Sequence, residues 1–318
     1  MSCLPGSAIF GGVVWAAFAA GRPLHWADLS LIEVLFLFAP LVIVPLGMKL
    51  VPRLVLADRS LLYALARSGQ PVAAVFAALA FLYPAGKVAA ALAAPWLLVT
   101  LLLGASGLLC LLRGENRPLP QVCAAVGLLY LPVGGAWLAA SGLGLTPMGF
   151  EEPIVLVTAV HFHYAGFAAC LICGVVVLLL TQSSSAARRV LRLILPGVLL
   201  GPGFLAVGFV IGPLVKLVAA LLLALSLLGL SLLLLFFLRS VGSRPAQAFF
   251  AVAAVSACIA MVLAGVWAVG EYPLQPFLNL PQMALLHGTI NAFGFCLCGL
   301  LGGLLAGPVR RELPCELP

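Results

Sequence analysis

The chain has 318 residues, of which 64% are hydrophobic and only 8% are charged, and its mean hydropathy is +1.25. A soluble domain holds roughly 45–50% apolar and about 25% charged residues, so a water-soluble fold could not bury this much apolar surface. The net charge of +7 would suit an acidic partner, but the basic residues lie in short segments between apolar stretches, and we expect no nucleic-acid partner. We therefore expect one integral membrane domain over residues 1–318, with the lipid bilayer as its surroundings.

The apolar stretches have the length of roughly 17–25 residues that a helix needs to cross a bilayer. They are continuously apolar, as in 222–238, whereas the strands of a membrane barrel alternate. The sequence predicts an all-α polytopic bundle of about ten spans, or eight or nine if the short first and third stretches do not cross. The expected spans cover residues 6–21, 29–48, 70–85, 88–112, 119–141, 153–181, 190–210, 213–238, 246–269 and 280–307.

The distribution of Lys and Arg predicts the orientation, since these residues accumulate in short cytoplasmic loops. With the N-terminus inside, the outer loops hold only Arg22, Lys87 and Lys216, and the other thirteen of the 16 basic residues are cytoplasmic. We therefore expect ten spans with both termini in the cytoplasm. We expect no removable signal peptide, because no basic segment precedes the first apolar stretch.

The connections predict no separate soluble domain. The longest polar stretches, 49–70 and 182–192, are expected to be cytoplasmic loops too short for a core of their own. The seventh span contains Pro196 and Pro202, and we expect it to be kinked or broken. Small residues repeat at four-residue spacing, which favours close helix packing over a functional site; they are Gly166, Cys170 and Gly174, and Gly299, Gly303 and Gly307.

The polar residues of the spans concentrate toward the predicted outer face. The second, sixth and tenth spans all run inward, and their outer halves carry histidines and acids. His161 and His163 lie roughly 12–15 Å along the sixth span at 1.5 Å per residue. An ionisable group inside a span is costly and is a functional-site hypothesis by default. The candidate substrate or proton pathway comprises Glu33, Glu152, His161, His163, Tyr164, His287 and Asn291.

Two chemistries suit this set. Imidazole and carboxylate groups bind transition metals, so His161, His163 and His287 are candidate ligands of a metal ion or haem. The same groups can relay protons, because histidine titrates near neutral pH. On an α-helix His161 and His163 point about 200° apart, so one ion cannot readily take both. We expect one of them to face His287 and Glu33 and the other to contact a different helix or a water-filled cavity.

The remaining motifs are weaker. Cys170 and Cys173 form a CxxC and Cys296 and Cys298 a CxC, but inside apolar helices they are typical of packing residues. The sequence has no phosphate-binding loop, dinucleotide fingerprint or hydrolase serine motif, so nucleotide-driven transport by this chain alone is not expected.

Two motifs carry a resemblance to a known family. Residues 152–167, which include the HFHYAGF motif, together with the HGxxNAxGF motif of 287–295, resemble the YndJ-like family of bacterial integral membrane proteins. The segment FAPLVIVPLG at 38–47 is similar to the N-terminal pattern of that family. The resemblance implies a multi-pass protein of a bacterial cytoplasmic (inner) membrane in which both histidine motifs matter, and it implies no particular reaction.

Three hypotheses follow. The first is a permease-like transporter that binds a small molecule or ion in an outward-facing cavity lined by histidine and glutamate. The second is a membrane enzyme, or a protein that binds a metal or haem through the same histidines. The third is a non-catalytic sensor or assembly component. The residues themselves identify neither the substrate nor the oligomeric state.

Overall fold

The chain folds into a bundle of membrane-length helices. The structure is a computed structural model that describes residues 4–21, 23–24, 26–55, 60–113, 117–180, 184–275 and 277–306. Throughout these ranges the chain is helical or forms the short connections between helices, and no strand occurs in them. The predicted all-α polytopic class is confirmed.

Ten apolar helices make up the described part of the chain. Eight of them are long and apolar enough to cross a membrane, whereas α1 has 14 residues and α3 is not among the eight. The side that each terminus faces stays a prediction. The helices are α1 (Gly6–Ala19), α2 (Leu31–Leu54), α3 (Leu61–Ala80), α4 (Lys87–Leu112), α5 (Leu119–Leu143), α6 (Ile154–Leu179), α7 (Ser185–Ile211), α8 (Pro213–Phe236), α9 (Arg244–Glu271) and α10 (Leu280–Leu305).

The prediction that 49–70 and 182–192 are loops is wrong for much of each segment, because helices occupy part of both. Helix α2 continues to Leu54, α3 already begins at Leu61, and α7 begins at Ser185. The start of α3 is rich in Leu and Ala, which are strong helix formers, and Arg67 stays exposed on the helix surface. The helices therefore extend beyond the apolar stretches, because the polar residues that flank those stretches are helical as well.

Helices α2 and α6 form the centre of the bundle. Their apolar windows are 78% and 83% buried, against 33–50% for the other six long helices. Both contact α10, so the second, sixth and tenth spans meet, and α6 also packs against α5, α7 and α8. The same three helices contain π-helical segments, at Ala39–Ile43, Phe162–Ala168, Ala284–Gly288 and Ile290–Leu297.

Small residues allow the close approach of these helices. A β-carbon added at Gly299 would lie 2.6 Å from the Ile172 side chain, and one at Gly166 would lie 2.7 Å from Tyr130. Gly307 lies outside the described residues. The geometry at Gly166 and Gly299 agrees with the packing interpretation of the two small-residue stripes.

Helix α7 is continuous through both of its prolines, so it is not broken there, and the kink stays a prediction. Its hydrogen-bond ladder is perturbed at one point, where the Tyr130 hydroxyl donates to the Leu199 carbonyl over 2.7 Å and accepts from the Gly203 N–H over 3.3 Å. A side chain inserted in this way is a known cause of helix bending. The perturbation lies beside Pro202, whose missing N–H already weakens the ladder.

Candidate functional site

His161 and His163 lie on opposite sides of α6. The sequence predicts this divergence from the angle of about 200° between them. His163 points into the packed half of the bundle with α4 and α5, whereas His161 lines a cavity enclosed by α2, α6, α7, α8, α9 and α10. His25, the fourth histidine, lies outside the described residues.

His163 is a fully partnered core residue. It has no exposed surface, and its Nε2 accepts a hydrogen bond of 3.1 Å from the Trp96 indole N–H. Its Nδ1 must then carry the proton, which it donates to the Ala159 carbonyl over 2.8 Å. The ring also stacks on Trp96 and meets Phe36 edge-on. Both ring nitrogens are used, so His163 has no free position for a ligand.

The cavity on the other side of α6 has a volume of about 300 Å³. Its wall is mostly apolar and includes Leu35, Leu223, Met261 and Phe295. The polar residues along it are Thr158, His161, Tyr164, Lys216, Trp267, Glu271, Tyr272, His287 and Asn291. It begins near the first residues of α6 and α10 and, from Ile154 to Ala165, extends roughly 16 Å into the bundle at 1.5 Å per residue.

His287 and Asn291 form a linked pair on α10. The Asn291 amide N–H donates to the His287 Nε2 over 3.1 Å and to the His287 carbonyl over 2.9 Å. The His287 Nδ1 therefore carries the proton and donates it to the Ala260 carbonyl of α9 over 2.9 Å. This chain of bonds fixes the imidazole as neutral and turns the Asn291 carbonyl oxygen away from it.

His161 differs from the other two described histidines, because its Nε2 is buried without a hydrogen-bond partner in the described structure. An unpaired buried polar atom costs about 1–3 kcal/mol and calls for an explanation. His161 lines the cavity, so a molecule bound there is one candidate for the missing hydrogen-bond partner.

An ion pair stands at the mouth of the cavity. The Lys216 ammonium, at the start of α8, lies 2.9 Å from a carboxylate oxygen of Glu271, the last residue of α9. The ammonium also lies 4.8 Å from the centre of the Phe209 ring of α7. The sequence reasoning missed this pair. The sequence did contain a signal for it, because α8 and α9 are consecutive helices with a short connection, and antiparallel packing of such helices brings Lys216 and Glu271 to the same end of the bundle.

The predicted acidic and tyrosine residues take positioning roles. Glu33 closes a capping box at the start of α2, where its carboxylate accepts from the Ser30 N–H over 2.6 Å. Glu152 accepts from the Leu156 N–H over 3.2 Å at the start of α6. Neither carboxylate lines the cavity. The Tyr164 hydroxyl lines it and donates to the Leu35 carbonyl over 2.8 Å, which ties α6 to α2.

The structure separates the proposed metal ligands. No three His, Cys, Asp or Glu side chains within the described ranges lie close enough to hold one metal ion. His161 and His287 share the cavity, while His163 bonds to Trp96 on the far side of α6. Cys170, Cys173 and Cys296 are buried free thiols and Cys298 is half-buried.

The fold is that of a polytopic α-helical membrane protein, with a largely apolar cavity inside its helix bundle. The sequence profile described as YndJ-like protein matches residues 34–295, and the chain belongs to the YndJ-like family. The protein named uncharacterized membrane protein YndJ, from Bacillus subtilis (strain 168), is 28% identical over 235 residues, which are 73% of this chain and 41% of that protein. The chain thus spans less than half of that relative's length. No solved structure matches it.

Proposed function

We propose that this protein is a permease-like membrane protein that binds a small, largely apolar molecule in the cavity between α6 and α8 to α10. The observation that carries the proposal is the buried, unpartnered Nε2 of His161, a residue that lines a cavity of about 300 Å³. Ligand pockets typically have volumes of about 300–1,000 Å³, apolar walls and a few placed polar groups. The cavity matches that description at the small end of the range.

The π-helical segments of α2, α6 and α10 support the same site. Such segments occur often at functional sites, because the extra residue per turn moves side chains out of the regular helical register. Phe162–Ala168 begins directly after His161, and Ala284–Gly288 contains His287. The cavity mouth lies at the ends of helices that the charge distribution predicts to face outward, which favours uptake from the outer side.

The alternative functions draw less support. A metal or haem site would need ligands that converge, and His163 is held apart from His161 and His287 by its bond to Trp96. A sensor would use the same cavity without moving the bound molecule across the bilayer. Binding is thus the shared step of the transporter and sensor hypotheses, and transport separates them.

The proposal is tested by filling the cavity. Ala264 lines it, whereas Val266, two residues further along α9, lies outside it and is 47% exposed. Protein with Ala264→Trp, protein with Val266→Trp and the unmodified protein are purified, and the small molecules that co-purify are extracted and compared by mass spectrometry. We expect a molecule that is present with the unmodified chain and Val266→Trp and depleted with Ala264→Trp.

The same molecule is then loaded into proteoliposomes. Flux that depends on the unmodified chain and is lost with Ala264→Trp supports transport, while binding without flux supports the sensor reading. Identical extracts from all three proteins would contradict the proposal.

A further inference from the structure

The polar groups of the cavity specify the chemistry of its ligand. Most are already used: the His287 nitrogens bond to Ala260 and Asn291, and the Tyr164 hydroxyl donates to Leu35. Of the polar groups deeper in the cavity, the Nε2 of His161 and the side-chain carbonyl oxygen of Asn291 remain without a partner among the described residues, while Tyr272, near the mouth, is 46% exposed. The first can donate in its protonated tautomer, and the second can only accept.

The charge of the cavity limits the ligand further. Along the described part of the wall, Lys216 is the one Lys or Arg, and it is paired with Glu271 at the mouth. An ionised carboxylate or phosphate bound between His161 and Asn291 would have only a protonated His161 as its counter-ion, and burying such a charged pair in an apolar site is costly. The head group of the ligand should therefore be neutral.

We propose that the cavity takes a neutral amphiphile with a hydroxyl head group, such as a long-chain or isoprenoid alcohol. This inference rests on the proposed function. The hydroxyl donates its proton to the Asn291 carbonyl oxygen and accepts from the His161 Nε2–H, and the hydrocarbon chain lies along Leu223, Met261 and Phe295. A ketone or an ether accepts but cannot donate, so it leaves the Asn291 oxygen unpaired.

The test compares head groups on one chain length. The protein is placed in lipid nanodiscs, and binding of tritiated 1-dodecanol is measured with Ala264→Trp protein in the same nanodiscs as the background. The competitors are unlabelled 1-dodecanol, its methyl ether, 2-dodecanone and dodecanoate. We expect the alcohol to compete at least about tenfold better than the others, which corresponds to about 1.4 kcal/mol. Farnesol in a further arm distinguishes an isoprenoid source from a straight-chain one, and either preference supports the hydroxyl assignment.

A variant adds a second measurement. His161→Phe keeps a ring in the wall, and we expect it to reduce the affinity for 1-dodecanol to that for the ether. If His161→Phe fails to fold, the competitor series on the unmodified chain still decides. Equal binding of alcohol and ether, or strongest binding of dodecanoate, overturns the hydroxyl assignment and leaves the cavity as a binding site. No binding above the Ala264→Trp background for any probe overturns both this inference and the proposed function.

Discussion

The two sides of α6 use histidine in opposite ways. On the side of α4 and α5, His163 is completely buried and both of its nitrogens are bonded within the protein. On the side of α8 to α10, His161 lines a cavity and its Nε2 has no partner in the described structure. The two histidines are only two positions apart, so neither sequence distance nor membrane depth distinguishes a structural histidine from a candidate ligand-binding one. The hydrogen-bond inventory does.

The sharpest test of this contrast is a pair of alanine substitutions. His163→Ala removes a packed ring and leaves the Trp96 N–H unpaired, so we expect the free energy of unfolding to fall by about 2–4 kcal/mol. His161→Ala removes an atom that was already unpaired, and we expect a change below about 1 kcal/mol. Unfolding in mixed micelles with increasing SDS measures both. Equal losses of unfolding free energy at the two positions would show that the two histidines contribute equally to stability.

A glycine beside His163 provides the next test. A β-carbon at Gly134 of α5 would lie 2.5 Å from the His163 Nδ1, whereas one at Gly265 of α9 would lie 3.8 Å from Leu221. We expect Gly134→Ala to cost about 1–3 kcal/mol through overpacking. Gly265→Ala should be neutral or stabilising, because alanine favours the helix. The same SDS titration decides, and a tolerated Gly134→Ala would mean that the His163 side is not tightly packed.

Removal of a single donor should have a smaller effect. Trp96→Phe keeps most of the ring but deletes the N–H that His163 accepts. Hydrogen bonds between membrane helices contribute on average about 0.6 kcal/mol and at most about 1.7 kcal/mol, so we expect a loss in that range. Trp267→Phe is the matched control at the cavity, because it also deletes an indole N–H, one that donates to the Leu278 carbonyl and not to a histidine. If the Trp96→Phe loss disappears when His163 is also replaced, the bond between the two rings is its source.

Much of the fold could be predicted from the sequence, because apolar length and composition determine which segments enter the bilayer. The opposed directions of His161 and His163 also followed from helical geometry. The roles of Glu33 and Glu152 did not, since a carboxylate near the start of a span serves equally as a cap or as a cavity residue. The cavity depends on which helices are neighbours, and loops do not encode that arrangement. The hydrogen bond of Tyr164 to Leu35, 129 positions away along the chain, illustrates this point.

The ion pair at the cavity mouth gives the smallest expected effect. Lys216 and Glu271 are 23% and 25% exposed, so their attraction is partly screened, and pairs of this kind contribute about 0–1 kcal/mol. We expect a double-mutant cycle of Lys216→Met and Glu271→Gln to give a coupling free energy below about 1 kcal/mol that decreases as salt is added. Removing the pair should therefore leave the bundle stable while changing how fast a probe enters the cavity. A coupling free energy well above about 1 kcal/mol would instead show that the pair stabilises the bundle. The two sides of α6 would then differ less in their contribution to stability than their histidines indicate.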